Sequence, residues 1–273
     1  MQKNSIDIFI PYWGDLRLLK TAINSVLGQT NENWRLTIID DNYPGDAAKK
    51  YCKSIKDKRV RYIKNNKNLG ITNNFNKCVR LAKSKYVMIM GCDDELMPNY
   101  TERTLSNIGE ADFYQPGVDV IDSRGKKYLP VGDRIKKILQ PKKSGIYYGE
   151  KLASSLCIGN WLYFPSITWK TETIRKYGFN KSYTIVQDVY LELSIIKDGG
   201  TLYFDKEISF RYRRHAKSMS STGKGKAGKR FEEEEDVYMN FARVFNEIVW
   251  IRASKNAKYH ITPRTHKLLA RFF

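Results

Sequence analysis

The fold is decided by residues 6–42, which read IDIFIPYWGDLRLLKTAINSVLGQTNENWRLTIIDDN. A β-rich run, Ile6–Ile10, stops at Pro11, and apolar residues then recur at helical spacing until Gly28. A second β-rich run, residues 36–39, ends in two adjacent aspartates. Strand, helix and strand joined by short turns predict a β-α-β unit with parallel strands.

The same rhythm continues along the chain. A third strand is predicted at 60–63, a helix at 71–83 and a fourth strand at 86–90, which runs into Gly91-Cys92-Asp93-Asp94. The fold class is therefore α/β, with a mostly parallel, doubly wound central sheet flanked by helices. Further strands are predicted at 112–121, 162–168 and 201–210, further helices near 149–157, 171–177, 187–197 and 231–250, an irregular excursion at 122–145, and a flexible loop at 216–230.

Composition limits the class of protein. The 273 residues are 41% hydrophobic and 13% aromatic, enough for a core, so wholesale disorder is excluded. No apolar run approaches the roughly 18–20 residues of a membrane span, and the apolar N-terminal run is too short for a signal peptide. We therefore expect a soluble chain made in the cytoplasm. The four cysteines are scattered without metal-ligand spacing, so they are expected to be reduced and in or near the core.

The net charge of +19 is unevenly distributed. Residues 211–230 carry eight Lys or Arg and no acid, and residues 251–273 carry six and no acid. Five consecutive acids, Glu232–Asp236, lie between them. Such blocks indicate anionic partners, which could be nucleotide phosphates, nucleic acid or an acidic membrane surface.

Paired aspartates follow two of the predicted strands, at positions 40–41 and 93–94. Ligands of an open α/β sheet gather at the carboxyl ends of its strands. One pair alone is most simply a turn or helix-cap residue, but two pairs at neighbouring strand ends would repel unless a cation joined them. No glycine-rich phosphate loop occurs, which disfavours a dinucleotide enzyme or a P-loop ATPase. The residues therefore predict a site for a divalent metal and a diphosphate.

Five blocks together resemble family 2 glycosyltransferases, whose fold is the GT-A fold. They are residues 6–42, NKNLGITNNFN (66–76), YVMIMGCDDELMP (86–98), VQDVYLELSI (186–195) and FRYRRHAKSMS (210–220). The order and spacing agree, and the resemblance covers roughly residues 5–220. It implies an inverting enzyme that uses a nucleotide-sugar donor.

The resemblance assigns a donor site at the ends of the first strands. Residues matching the family's nucleotide-sugar-binding positions are Pro11, Tyr12, Asp40, Asp41, Asn68, Gly70 and Asp93. Asp94 matches the last acid of the DxD-type motif and is the expected metal ligand for Mn²⁺ or Mg²⁺. Many relatives have an acid where this chain has Gly91, which makes the rest of the coordination less definite.

The resemblance also assigns a catalytic centre. Asp188 matches the general base that removes the acceptor proton, with Glu192, one turn later, in reserve. On its own, Asp188 would be read as a helix first-turn acid. His215 matches a position near the metal, and Arg213, Arg214 and Lys217 are expected to stabilise charge on the departing diphosphate, beneath a lid at 216–230.

Two features stay open between alternatives. Trp161 could be an acceptor platform or part of a buried aromatic cluster. The basic tail, 251–273, could lie on an anionic membrane surface or be a solvated terminal helix.

The predicted organisation is a GT-A domain over 1–230, divided into a nucleotide-binding half (1–98), an acceptor half (99–215) and the lid, followed by a basic helical extension at 231–273. The predicted partners are a nucleoside-diphosphate sugar, such as a UDP-sugar, and a saccharide or lipid-linked glycan acceptor in bacterial cell-surface polysaccharide synthesis, with no nucleic acid expected. The alternatives are a nucleotidyltransferase acting on sugar phosphates and a non-enzymatic nucleic-acid-binding protein.

Overall fold

A computed structural model of the chain describes residues 4–214 and 226–260. Its strands are β1 (Ile6–Tyr12), β2 (Trp34–Asp40), β3 (Val60–Lys64), β4 (Tyr86–Ile89), β5 (Glu95–Leu96), β6 (Phe113–Ile121), β7 (Gly145–Tyr148), β8 (Thr168–Lys170) and β9 (Thr201–Arg213). Its helices are α1 (Leu16–Leu27), α2 (Ala47–Ser54), α3 (Ile71–Leu81), α4 (Tyr100–Asn107), α5 (Val131–Leu139), α6 (Gly149–Ile158), α7 (Thr171–Tyr177), α8 (Gln187–Lys197), α9 (Lys226–Glu247) and α10 (Ile251–Lys258).

The described strands form one nine-stranded sheet in the order β3-β2-β1-β4-β8-β6-β9-β5, with β7 paired to β9. The strands β1 to β4 are mutually parallel where they pair, as predicted. The second half is mixed: β8 is antiparallel to both β4 and β6, whereas β6 and β9 are parallel.

Both faces of the sheet are covered. In β1, the alternating residues Ile6, Ile8 and Ile10 join a core cluster that contains α1, whereas Phe9 joins the opposite cluster with α3, α6 and α8. Burial on both faces explains the unbroken apolar run Ile8-Phe9-Ile10.

The first helix forms where its sequence signals place it. The Asp15 side chain accepts a hydrogen bond from the Arg17 N–H (2.7 Å), and Gly28 is the C-cap residue. Such an N-cap stabilises a helix by about 1 kcal/mol. Leu19, Ile23 and Val26 are fully buried, so the predicted apolar stripe faces the sheet.

Three of the predicted boundaries were wrong. The expected strand at 162–168 is mostly a 3₁₀ turn, Phe164–Ser166, because Pro165 has no N–H to donate to a strand partner. The excursion at 122–145 contains helix α5, which its glycine, proline and charge content concealed. The last long helix begins at Lys226, inside the predicted loop, rather than at 231.

The C-terminal helices are part of the core. Val237, Tyr238, Phe241 and Phe245 of α9 are buried in the cluster that contains α8, and α10 contributes two buried alanines. The helical extension predicted at 231–273 is therefore packed into the domain as far as it is described. No helix within 4–214 and 226–260 has both the length and the apolar character needed to cross a membrane. Three of the four cysteines are buried, and all four are free thiols, as predicted.

Candidate active site

The strand register brings the predicted donor residues to one edge of the sheet. In the parallel pairing, Pro11 lies opposite Ile39 and Tyr12 opposite Asp40. The Asp41 N–H donates to the Tyr12 carbonyl (3.1 Å), and the Met90 N–H donates to the Phe9 carbonyl (2.9 Å). The segments after β1, β2 and β4 therefore meet where an open α/β sheet binds ligands.

Asp41 is held in a cradle of donors. It is buried, and its carboxylate accepts hydrogen bonds from the Asn65 side chain (2.7 Å) and the N–H groups of Leu69 (2.8 Å) and Gly70 (3.0 Å). Gly70 has φ +75°, a conformation that favours glycine. Its N–H also donates to Asn68 Oδ1 (2.8 Å). The predicted pair Asn68 and Gly70 therefore forms one loop with Asp41.

Asp40 orders a second loop. Its carboxylate accepts hydrogen bonds from the Tyr43 N–H (2.7 Å) and the Tyr62 hydroxyl (2.5 Å). Burial and Asp40 together raise the pKa of Tyr62, so this hydroxyl remains a donor. Asp40 therefore shapes the loop beside the donor site through these bonds.

An aromatic group lies next to these loops. The Tyr43 ring centroid is 5.4 Å from that of Tyr12 and 5.3 Å from that of Trp13. Tyr12 is buried, whereas Trp13 is 52% exposed. Sequence reasoning did not select Trp13 or Tyr43, although a tryptophan directly after a strand end was the available signal.

The turn after β4 carries two carboxylates. Asp94 is 1% exposed, and its Oδ1 accepts a hydrogen bond from the Arg213 N–H (2.8 Å). Burial and the neighbouring charge of Asp93 raise the pKa of Asp94 well above its usual range. A carboxyl in this position gains from a nearby cation, and oxygen ligands suit Mg²⁺ or Mn²⁺.

Gly91 is an integral part of this turn. A Cβ at this position would lie 2.4 Å from Asp94 Oδ2 and 3.0 Å from Asp93 Oδ1. Any larger side chain here would therefore require the carboxylates to move. Among residues 4–214 and 226–260, no three metal-ligating side chains come together. A cation held by this turn would therefore take further ligands from the donor phosphates or water.

The Arg213 side chain holds the turn after β4 in place. It is 3% exposed, and its guanidinium donates to the Asp93 carbonyl (2.7 Å), the Asp122 carbonyl (2.8 Å) and the Glu95 carboxylate. In this structure Arg213 therefore positions the aspartates, and its predicted contact with a diphosphate stays a prediction.

Arg214 points to a different part of the site. Its guanidinium binds both carboxylate oxygens of buried Asp133 on α5, at 3.0 and 3.1 Å. The Tyr163 hydroxyl donates to the same carboxylate (2.9 Å). Adjacent arginines thus connect the Asp94 turn to α5.

Asp188 lies in the first turn of α8, with Glu192 one turn later. Burial raises the pKa of Asp188, and burial together with Asp188 raises that of Glu192 well above its usual range. Glu192 Oε2 accepts a hydrogen bond from the Asn160 side chain (3.1 Å). A carboxylate with a raised pKa is suited to remove a proton near neutral pH.

Lys136 of α5 faces these two carboxylates. Burial and Arg214 lower its pKa to about 8, while Asp133, Glu192 and Asp188 act in the opposite direction. Its ammonium donates to the Leu162 carbonyl (2.6 Å) and lies 4.4 Å from the centre of the Tyr163 ring. Sequence reasoning missed Lys136 because α5 was not recognised as a helix.

The acidic run of α9 holds the segment before Asp188. The Glu233 carboxylate accepts hydrogen bonds from the N–H groups of Thr184 (3.0 Å), Ile185 (2.8 Å) and Val186 (3.3 Å), and from the Thr184 hydroxyl (2.8 Å). An acid beside the N-terminus of α8 is also favoured by the helix dipole. The sequence indicated only a charge block here, yet Glu233 fixes the segment that leads into α8.

One predicted residue lies away from the assembled site. Trp161 is fully buried, with its indole N–H donating to Ser155 Oγ (3.2 Å) and its ring packed edge-on against Phe204. This is the buried-cluster alternative, so we place Trp161 in the core and not at an acceptor surface. His215, Lys217 and the lid up to residue 225 lie outside the described residues, as does the tail beyond residue 260.

The sheet order and the carboxylate-bearing turn after β4 define the GT-A fold. The chain matches the family described as Glycosyl transferase family 2 over residues 7–171, and it belongs to that family. The predicted fold class and family are therefore confirmed.

Several relatives of the chain are described as glycosyltransferases. The chain is 27% identical over 205 residues to an uncharacterized glycosyltransferase of Methanocaldococcus jannaschii, covering 72% of this chain and 66% of that one. It is 26% identical over 258 residues to an uncharacterized glycosyltransferase of Rickettsia prowazekii, covering 91% and 76%. It is 35% identical over 95 residues to the putative colanic acid biosynthesis glycosyl transferase WcaA of Escherichia coli K12, covering 34% of each chain.

Solved structures share the fold at low identity. TarS of S. aureus, in complex with UDP-GlcNAc, superposes with a TM-score of 0.68 at 13% identity, covering 86% of this chain and 66% of that one. The mannosyltransferase PcManGT of Pyrobaculum calidifontis, in complex with GDP-Man and Mn²⁺, gives 0.66 at 11% identity, covering 97% and 73%.

Proposed function

We propose that the chain is an inverting glycosyltransferase that moves a sugar from a nucleoside-diphosphate donor to a hydroxyl of a saccharide or lipid-linked glycan. The observation that carries the proposal is a chain of contacts between Asp94 and the carboxylates of α8. Asp94 accepts a hydrogen bond from the Arg213 N–H, and the neighbouring Arg214 binds Asp133 on α5. Lys136 of the same helix interacts electrostatically with Asp188.

In this proposal the donor lies at the carboxyl ends of the first strands. The Asp41 cradle and the loop with Asn68 and Gly70 border the nucleoside, and the exposed Trp13 ring offers a face on which a base can stack. Asp94, with Asp93 beside it, would hold a divalent cation, which would neutralise charge at the donor diphosphate. Arg213 keeps this turn in place through its carbonyl and carboxylate contacts.

Asp188 then acts as the general base. An acceptor hydroxyl within hydrogen-bond reach of its carboxylate gives up its proton as the oxygen attacks the anomeric carbon. The nucleoside diphosphate leaves from the opposite face, so the configuration inverts. Lys136 favours the ionised form of Asp188 through its positive charge.

The pathway proposal is synthesis of a bacterial cell-surface polysaccharide on the cytoplasmic side of the membrane. It is supported by the similarity to WcaA, whose description names colanic acid biosynthesis. TarS and PcManGT were solved with UDP-GlcNAc and with GDP-Man and Mn²⁺ respectively, so uridine and guanosine donors both belong in the first screen. The tail, 251–273, is a candidate contact with an anionic membrane.

Thermal unfolding tests the donor site directly. UDP, GDP and dTDP are added separately, with and without Mn²⁺, and at least one nucleotide is expected to raise Tm more strongly with the metal, since a ligand that binds only the folded state stabilises it. The matched control is Asp94→Asn, which should lose the metal-dependent part of the shift. No response to any nucleotide would overturn the proposed donor site, and hydrolysis of a panel of nucleotide sugars identifies the donor.

A further inference from the structure

Helix α5 presents apolar side chains to the outside. Val131, Ile135 and Ile138 are 70%, 52% and 71% exposed. Their spacing of four and three residues places them on one side of a helix that turns by about 100° per residue. They form one apolar stripe on the outward face of α5.

The opposite side of the same helix is polar and engaged. Asp133 is buried and binds Tyr163 and Arg214, and Lys136 donates to the Leu162 carbonyl. Gln140, just beyond the helix, reaches the Trp161 carbonyl (3.4 Å). The helix is therefore inverted relative to an ordinary surface helix in water, whose apolar side faces the core. Turning α5 about its axis to bury Ile135 and Ile138 would break the hydrogen bonds of Asp133 and Lys136.

The surroundings of the stripe are strongly basic. Residues 123–143 carry eight Lys or Arg and a single acid, the buried Asp133. Lys127 pairs with Asp119 (2.8 Å) and Arg124 with Asp122 (3.7 Å), which offsets part of this charge. The other exposed cations are Lys126, Arg134, Lys142 and Lys143.

We propose that this apolar stripe and its basic border, which we call the α5 face, bind an anionic lipid surface. An apolar helix face flanked by Lys and Arg is the pattern that lies in the headgroup region of acidic membranes. Charge argues against a second copy of the chain, since a twofold contact through this face would bring identical positive surfaces together. The stripe is aliphatic and residues 123–143 offer a single exposed ring, Tyr128 (52%), which disfavours the serial base stacking of single-stranded nucleic acid.

Binding through the α5 face would fix how the candidate site is oriented relative to the membrane. The outward side of α5 lies on the lipid, while Asp133 and Lys136 on its inward side contact the segment beside the carboxylates of α8. The membrane contact itself does not depend on the proposed reaction, because it is measured without any donor or acceptor.

The test is sedimentation of the whole chain with vesicles of pure phosphatidylcholine and of phosphatidylcholine mixed with phosphatidylglycerol. Binding is expected only to the anionic vesicles and should weaken as salt is added. Ile135→Asp and Ile138→Asp are each expected to reduce the bound fraction by about tenfold or more. The matched control is Met239→Asp, because Met239 is an exposed apolar residue (41%) on α9, outside both the α5 face and the tail 251–273.

Each outcome decides the proposal. Loss of binding in the two α5 variants, with Tm and the Met239→Asp control unchanged, supports it. Equal loss in Met239→Asp and the α5 variants, or no binding to anionic vesicles, overturns it. A dimer in solution without lipid that Ile135→Asp dissociates also overturns it, in favour of a contact between copies.

Discussion

Asp41 and Glu192 are both buried carboxylates, but their surroundings differ. Asp41 is satisfied by three donors from one loop, two of them backbone N–H groups. Glu192 has Asn160 on one oxygen, while its Oε1 has no hydrogen-bond partner among the described residues. Buried carboxylates without full hydrogen bonding are costly, and such cost is concentrated where chemistry needs a perturbed pKa. The Asp41 carboxylate is thus fully hydrogen-bonded, whereas the α8 end keeps a buried carboxyl whose pKa is raised.

The largest effect is expected when the proposed base is removed. Asp188→Asn should lower kcat by about 10²- to 10⁴-fold, the usual contribution of a positioned general base, while donor binding is kept. Transfer assays and donor titrations by calorimetry measure the two quantities. The control Glu192→Gln should lose less. Near-normal turnover of Asp188→Asn would assign the base elsewhere.

The second prediction concerns the turn after β4. Asp94→Asn should weaken donor binding in Mn²⁺ by roughly tenfold or more, because one charged ligand is lost from a site that shares oxygens with the diphosphate. Binding without metal should change much less. Equal loss under both conditions would indicate that Asp94 only supports the turn.

The third prediction tests whether Glu233 positions the base. Glu233→Gln removes the negative charge facing three backbone N–H groups and should lower stability by about 1–3 kcal/mol. We expect kcat to fall several-fold with KM little changed, and Glu233→Asp to restore part of the loss. A change in Tm without any change in kcat would leave Glu233 a purely structural residue. Glu232→Gln is the matched control, because Glu232 is exposed at the preceding position of the same helix.

The fourth prediction tests recognition at the other end. Trp13→Ala should raise the donor KM by about tenfold, since an aromatic contact contributes about 0.5–1.5 kcal/mol beyond its buried area. The value of kcat should stay within about twofold, because the ring lies away from the carboxylates of α8. A fall in kcat alone would remove Trp13 from the donor site.

The smallest expected change is a shift in pH dependence. Activity should fall as the pH drops through the raised pKa of Asp188, because the base must be ionised. Lys136→Met removes a charge that lowers this pKa, so the acidic limb of kcat/KM should move to higher pH. Above pH 8 the wild type also loses the Lys136 charge, so the difference should be clearest below it. A pH profile unchanged by Lys136→Met would separate Lys136 from the base.

The N-terminal half could be predicted in detail because its signals are local. The strand at Ile6–Ile10 and the cap at Asp15 each need only a few neighbouring residues to be recognised. The strand ends then placed the aspartates at one edge of the sheet, because parallel strands share their orientation.

The second half depends on contacts between distant segments. Helix α5 escaped notice because Pro130, Gly132, Pro141 and the many charges around them concealed its apolar spacing. The contact of Glu233 with residues 184–186 joins positions nearly fifty apart in sequence, which no spacing pattern reports. Trp161 could not be placed from the sequence either, since an aromatic cluster has the same sequence pattern whether it is exposed or buried.

Since α9 is packed into the core, the chain has no natural breakpoint at residue 230. The side chains of Val237, Phe241 and Phe245 fill the same cluster as those of α8, and Glu233 caps the segment before Asp188. A fragment that ends before α9 would expose this apolar surface and free the backbone amides of residues 184–186 to solvent. The segment before α8 and helix α9 therefore pack as one unit, and a shortened domain would have to keep α9.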